Sequence, residues 1–472
     1  MRAMRVVPLV LAVFALAGCG GSELTGSVVD SDVAALAPAS ALAVIALETD
    51  PESEQWQQAE RLLERFPGRQ RLLDELRSGL SKEGVDAEQD LLPALGDRTY
   101  VVFLDVETDE NVVVLTRPRD PQKLQELVRE ADDPAVTREV EGWTLIAETD
   151  AALDRFAAGG DRLADADWFA DAQGRVEDDA LVTFLVNGAA IGEAAASSLS
   201  SDCEPPEWQL DYAAGTVSAE EHGLRFAFAS EGEGGESADG ESLLSRVPSG
   251  ALLFLGFPGF GGLGVTDQLR CTTDEQGLPD GERFLGVSYE QLGDLFAGGF
   301  ALSVSPSALV PEATLLLAPE DEAAAVATLD RLAERAVASG LGQLRPRTVD
   351  GIAVKELEAG PVTVLYGGAD GRVAITTTVR GLQALTGELD SLSDDDRFRA
   401  ALDAAGVDDG EDVVLYLDLQ QLVQLADGLA GLAEEDVPAD VEANLEPLRS
   451  FLVWADLDDP DDVEAGAFLE LR

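Results

Sequence analysis

The sequence predicts an α+β fold made of two similar halves, each a mostly antiparallel sheet with packed helices. Three observations predict it. Apolar strand-like runs come in pairs, some joined by Asp-Gly or Glu-Gly turns. Helical stretches separate the pairs, and the order of the pieces repeats along the chain.

Each half opens on a proline and small residues leading into an apolar strand, Ala37–Leu47 and Val247–Phe257. A strand pair follows: Thr99–Leu104 with Asn111–Thr116, and Phe300–Val304 with Ala313–Ala318. Asp120 can then cap a helix with Pro121 at its first position. Its Leu124, Leu127, Val128 and Ala131 fall on one face, and the counterpart is about Glu320–Ala338. Next come hairpins, Thr137–Val140 with Trp143–Ala147 around Glu141-Gly142, and Arg347–Val349 with Ile352–Leu357 around Asp350-Gly351. The second half adds Val362–Tyr366 and Val373–Thr377 around Gly367-Gly368.

The clearest repeat is an acidic cap, a short helix beginning with an aromatic, and a buried strand. It reads Asp167–Ala172 into Ala180–Val186, and Asp396–Ala401 into Val413–Asp418. Each half closes on a strand pair, Leu210–Val217 with Leu224–Ala229 and Phe451–Leu457 with Ala465–Leu471. The organisation expected is a signal peptide over 1–18, a tether over 19–34, a first half over 35–230, a Gly/Glu/Ser linker or long loop over 231–242, and a second half over 243–472. Internal duplication accounts for the repeat; chance similarity of short α+β patterns is the alternative.

The N-terminus carries Arg2 and Arg5, then the apolar run Val6–Ala17, then Leu16-Ala17-Gly18-Cys19. A charged start, a short apolar middle and small residues before a cut site make a secretory signal peptide. The apolar run falls short of the ~20 residues a spanning helix needs. Its closing residues resemble the lipobox of bacterial lipoproteins, which implies a lipid on Cys19 and an extracytoplasmic, membrane-anchored protein. An ordinary cleaved signal is the alternative. Gly20-Gly21-Ser22 suits a tether.

Formal net charge is −59, and losing Arg2 and Arg5 with the signal takes it to −61. Such a charge repels nucleic acid and anionic headgroups. The acid is spread through both halves, as a solubility or high-salt adaptation would spread it. Cys203 and Cys271 form an even pair in an oxidising compartment, so one disulfide is expected, with two buried free thiols as the alternative. The only histidine, His222, stands beside Glu220 and Glu221 and reads as a surface residue.

Catalytic patterns are absent from the sequence. Gly259–Gly264 fits G-x-G-x-x-G, but Val265–Cys271 is a poor opening helix, so a Gly-rich loop after a strand is the better reading. There is no G-x-S-x-G, H-E-x-x-H or C-x-x-C, and one histidine cannot build a multi-histidine zinc site. The Asp456–Asp462 run lacks the EF-hand glycine and glutamate and reads as a charged turn, and Asp394-Asp395-Asp396 as a helix N-terminus. No cofactor is expected. One candidate contact remains: Phe257, Phe260 and Leu263 in an apolar Gly-rich segment, able either to touch lipid or a partner or to fold over the core.

The Pro38–Leu47 strand, Asp50-Pro51 and the helix ending Leu62-Leu63-Glu64-Arg65-Phe66-Pro67-Gly68, with a later part, Phe398–Asp418, of the same look, resemble an exported bacterial family, domain of unknown function 3352, and the resemblance is expected to cover most of the mature chain. The resemblance implies an extracytoplasmic, often membrane-attached protein and brings no catalytic residues. The expectation is a non-enzymatic binding or scaffold protein of the cell envelope, with an envelope protein or apolar ligand as partner. A carrier of lipid or another apolar ligand is the first alternative, a carboxylate-dependent hydrolase the second.

Overall fold

The computed structural model describes residues 28–71, 73–74, 78, 87–105, 111–130, 135–198, 209–234, 240–259, 281–307, 311–360, 362–387, 389–408, 413–432 and 438–472. Among the described residues eighteen strands join in one sheet. The first eight are β1 (Ala43–Glu48), β2 (Arg98–Phe103), β3 (Val112–Thr116), β4 (Val136–Val140), β5 (Trp143–Ala147), β6 (Val182–Asn187), β7 (Gln209–Glu220) and β8 (Gly223–Glu233). The others are β9 (Leu253–Phe257), β10 (Phe300–Ser305), β11 (Glu312–Leu317), β12 (Gln343–Val349), β13 (Ile352–Ala359), β14 (Val362–Ala369), β15 (Arg372–Thr376), β16 (Val413–Asp418), β17 (Leu448–Asp456) and β18 (Asp462–Leu471).

The pairings, all antiparallel, give the order β4-β5-β3-β2-β1-β6-β7-β8 in the first part. The second part runs β18-β17-β16-β9-β10-β11-β15-β14-β13-β12. The expected α+β class with a large antiparallel sheet is what the chain adopts. β-branched and aromatic runs such as Thr-Tyr-Val-Val-Phe in β2 fit a pleated surface.

The longer helices are α1 (Ser31–Leu36), α2 (Glu54–Leu63), α3 (Pro121–Glu130), α4 (Asp150–Ala157), α5 (Asp167–Gly174), α6 (Gly188–Ser198), α7 (Glu322–Ala338), α8 (Asp396–Ala405), α9 (Leu419–Leu432) and α10 (Ala439–Leu445). Asp120 caps α3 as expected, its carboxylate accepting from Gln122 N at 2.9 Å and Lys123 N at 3.3 Å. Among the described residues no helix is long and apolar enough to cross a membrane.

Several boundaries differ from the sequence reading. Residues 28–34, assigned to the tether, are folded: Val29, Val33 and Ala34 are buried in the first core, and Asp30 caps α1. Strand β8 takes up the start of the expected linker, because Glu231 pairs with Asp462 across the sheet. Helix α8 is capped by Asp395, not Asp396, and α5 by no side chain. The turns at Glu141-Gly142 and Asp350-Gly351 have positive φ at both residues, as a type I′ hairpin demands. Gly367 and Gly368, however, lie inside β14, and the turn falls at Asp370-Gly371, where φ is 54° and 76°. Asp-Gly tolerates that left-handed pair; Gly367 is needed because a Cβ there would press on Val354.

The two parts meet where β8 pairs with β18, in nine registered pairs from Glu231–Asp462 to Gly223–Glu470. Arg175 clamps this seam, bonding Asp462 at 3.1 and 2.6 Å and Glu464 at 2.9 Å. Arg225 covers its other end. Its guanidinium lies 5.2 Å from the Phe468 ring and 5.8 Å from that of Trp454, pairs with Glu220, and donates to Ala405 O at 3.0 Å. Trp454 can lie flat because residue 466 is glycine; a Cβ there would collide with the indole. The outer strands β4 and β12 carry Arg138 and Glu139, and Arg345, Pro346 and Arg347, which discourage further strand pairing.

Arg225→Ala removes two ring contacts and a charge-assisted hydrogen bond, so it is expected to lower stability by about 2 kcal/mol. Urea unfolding followed by tryptophan fluorescence checks this; a change within error would show that the seam does not depend on Arg225.

Candidate functional site

Along a strand, alternate side chains point to opposite faces, and directly opposed residues share a face. One face of this sheet is closed. Val44, Tyr100, Leu145, Leu185 and Ala214 are buried there with Leu153 and Phe156 of α4 and Phe169 of α5. In the second part, Phe254, Ala301, Tyr416, Leu452 and Phe468 are buried with Phe398, Ala401 and Ala405 of α8.

The opposite face is also apolar and only partly closed: Leu47, Val101 and Val114 are buried together on it, and Leu317 and Val373 beneath α7. Following the register, a row runs Leu47, Val182, Val217, Phe226, Ala467, Val453 and Leu415. It continues through Leu255, Leu302 and Leu315 to Ile375 and Tyr366. A second row runs Ile146, Val114, Val101, Ile45, Phe184, Gly215, Phe228, Ala465 and Ala455. Neither row contains a charged residue, in a chain that is 26% charged.

The ends of the first row are covered. Leu47 is buried, and Tyr366 packs with Ala325, Leu329 and Ala333 of α7. Nearby, Trp56 and Leu62 of α2 cover Ala219 and Leu471. Between these covers, residues from Val182 to Ile375 stay half-buried, and Phe226 and Phe228 are 40% and 38% exposed at the seam. Phe184 and Phe228 flank Gly215, their rings 6.5 Å apart; a Cβ on Gly215 would strike the Phe184 ring. Gly215 therefore lets the aromatic pair lie across the sheet.

The second row ends at a recess of about 180 Å³. It sits at the ends of β9, β16 and β17: Phe257, Ala455 and Leu457 line it from the open face and Leu243, Phe254 and Val413 from the closed core, with Ser242 and Asp458 as its polar side chains. An enclosed ligand pocket is usually about 300–1,000 Å³, so the recess alone holds only part of a ligand.

The sequence-predicted site residues fall as follows. Phe257 ends β9, half-buried in this recess and on the open face. Cys19, Cys203, Cys271, Phe260 and Leu263 lie outside the described residues. His222 is exposed in the β7–β8 turn, its carbonyl accepting from Leu471 N at 2.7 Å. In the β17–β18 turn the carboxylates of Asp456 and Asp459 accept the backbone N–H groups of Asp458 and Asp461, both at 3.1 Å. Sequence reasoning missed the open face itself, with Phe184, Phe226 and Phe228. Its signal was present: strands such as β1, β9 and β16 are apolar at both odd and even positions.

Burial raises the Glu48 carboxyl above its usual range, outweighing the Asp50 N–H bond at 2.9 Å and Arg98 at 3.5 Å. Arg98 also donates to Val28 O and Asp178 O, at 3.3 and 3.2 Å, so the pair ties the N-terminal segment to the sheet. Tyr212 is pushed up to about 12 by burial and by its hydrogen bond to Glu231.

Residues 3–149 match the model of a family described as a protein of unknown function, DUF3352. The resemblance read from Pro38–Leu47, Asp50-Pro51 and the Leu62–Gly68 helix end is thereby borne out; the matched stretch ends just past β5, so Phe398–Asp418 and most of the chain lie outside it. No curated protein matches the chain. Among solved structures, the one titled "Structure of crystal form I of TP0453" is similar at 14% identity, covering 50% of this chain and 79% of that one, with a TM-score of 0.25.

A carboxyl whose folded pKa is raised stabilises the fold below its unfolded pKa and loses that contribution as pH rises through the folded value. Glu48→Gln, which keeps an acceptor for Asp50 N, is expected to melt higher than the parent at pH 7, with the gap closing toward pH 4. Thermal melts across that range check it; a variant less stable at pH 7 would mean that the Arg98 pair outweighs burial.

Proposed function

We propose that this chain is a non-enzymatic binding protein of the cell envelope, held to the membrane by a lipid on Cys19, and that the open apolar face is its binding surface. The observation that carries the reading is the exposure of Phe226 and Phe228 in the middle of two uncharged rows. Antiparallel sheets with one solvated face normally alternate apolar with polar residues. A second apolar face left half-open is the mark of a surface that meets something else. Glu48 is engaged by Arg98 and Asp50 N, so it supports a structural role more than a hydrolytic one.

The strand order also supports duplication. In each half, the first strand lies between the second strand and the strand after the aromatic-led helix: β1 between β2 and β6, β9 between β10 and β16. Isolated bridges recur at matching places, Pro38 with Arg162 and Pro248 with Ser391, each just before a short 3₁₀ turn and then α5 or α8. On this reading β14–β15 answer to β4–β5, and β12–β13 are an insertion in the second half.

A neutral solvatochromic dye such as Nile red tests the face. The parent, expressed from Gly20 onward, is expected to brighten the dye. Phe226→Glu and Phe228→Glu place a carboxylate where the dye would desolvate it, so each should weaken binding about tenfold or more. Undiminished binding in both folded variants would move the binding surface elsewhere. Cys19→Ser in the full chain is expected to shift the protein from the membrane to the soluble fraction; retention at the membrane would remove the lipid anchor.

A further inference from the structure

We infer that the β8–β18 seam is a twofold interface that selects its partner by charge: each half of the chain accepts the other half and rejects a copy of itself. This rests on the duplication proposed above and adds what decides the pairing.

The twofold relation follows from register. Pro38 and Pro248 make the equivalent bridges, so Val44 of β1 answers to Phe254 of β9. Across the ladders, Val44, Leu185, Ala214 and Ala229 stand side by side in the first half. Phe254, Tyr416, Leu452 and Phe468 do the same in the second. Ala229 of β8 therefore answers to Phe468 of β18, and two residues earlier Ala227 answers to Gly466. In the seam Ala227 lies directly opposite Gly466. A position paired with its own equivalent marks a twofold axis. About that axis Arg225 answers to Glu464, and Gly223 to Asp462.

These equivalent positions carry opposite charge, and each meets the end of a helix from the other half. Arg175 follows directly on α5 and bonds Asp462 at 2.6 Å and Glu464 at 2.9 Å. Ala405 ends α8, and its carbonyl accepts from Arg225 at 3.0 Å. Matching the bridge partners Arg162 and Ser391 places Ala404 where the first half has Arg175. The end of α8 is therefore a carbonyl end without an arginine, which favours a cation. The end of α5 carries its own cation and favours acids. Glu220 pairs with Arg225 from the same half and travels with it, so it does not distinguish the arrangements.

Like pairs reverse these contacts. Two first halves joined through β8 would set Arg225 against Arg175 at both ends, with Gly223 where Asp462 now stands. Two second halves joined through β18 would set Asp462 and Glu464 against the carbonyl end of α8, again at both ends. Backbone hydrogen bonds of the seam are open to all three combinations. The charges are not, and repulsion in the wrong pairs contributes to selection as much as attraction in the right one.

The test uses the chain from Gly20 onward with a protease site inserted within residues 235–239. It is cut after folding, unfolded in urea and refolded under a reductant, so that Cys203 and Cys271 cannot link the halves. Native mass spectrometry then counts the pairs. The expected result is the mixed pair, about tenfold or more above either like pair. Arg175→Glu sets an acid against Asp462 and Glu464 in the mixed pair and against Arg225 in the pair of first halves. It is expected to shift the population to the latter, and Glu464→Arg added to it should bring the mixed pair back. Like pairs as abundant as the mixed one in the parent overturn the selection and leave the likeness of the halves standing. A mixed pair still dominant in Arg175→Glu overturns it too. Should that variant yield only single halves, recovery of the mixed pair in the double variant assigns the choice to this charge, and no recovery overturns it. Halves of the parent that do not reassociate overturn both the selection and the reading of two equivalent halves.

Discussion

The pairing of β8 with β18 is the constraint on which the rest of the molecule depends. It joins a strand formed near residue 230 to the last strand of the chain, and so makes one sheet of what would otherwise be two. Without it, both strands would expose a bare edge, and Arg175 would lose Asp462 and Glu464. The apolar rows would stop at the seam. With it, Phe226 faces Ala467 and Phe228 faces Ala465, and the small partners leave both rings more exposed than their neighbours in the rows. The N-terminal part adds a second tie: Arg65 donates to Leu471 O at 3.1 Å, and Gly68 N to Asn444 at 2.7 Å.

A sheet that is apolar on both sides has a packing debt on whichever side the helices do not reach. On the closed side, α4, α5 and α8 bring aromatic and aliphatic side chains into dense contact, with T-shaped pairs such as Phe398 on Tyr416 at 5.1 Å. On the other side, α2 and α7 cover only parts of the margin. The high acidic charge complements this arrangement. Like-charge repulsion between copies of the chain opposes their association through the apolar face.

Much of this architecture was legible in the sequence. The Pro38–Leu47 and Val247–Phe257 openings, the Asp120-Pro121 helix start, the two type I′ hairpins and the paired closing strands all announce themselves through local chemistry, which acts within a few residues. What local chemistry does not encode was missed. Gly367-Gly368 resembles a turn, yet close approach of Val354 claims it for a strand. Val28–Ala34 sits beyond a Gly-rich stretch and resembles a tether, yet Val29 and Val33 are needed to fill the first core. The open face was missed for a deeper reason: whether an apolar strand position meets a helix or meets nothing depends on tertiary placement. The apolar segment at Phe257 stands out in the sequence because glycines surround it. Phe226 and Phe228, in an ordinary-looking strand, form the more exposed surface, and Phe257 joins it only at the recess.

The measurement that bears most directly on the seam is amide hydrogen exchange across β8 and β18. With the two strands paired, the amides of Gly223–Glu231 and Asp462–Glu470 are expected to exchange as slowly as those of β7 and β17. Exchange as fast as in an exposed edge strand would contradict a single continuous sheet.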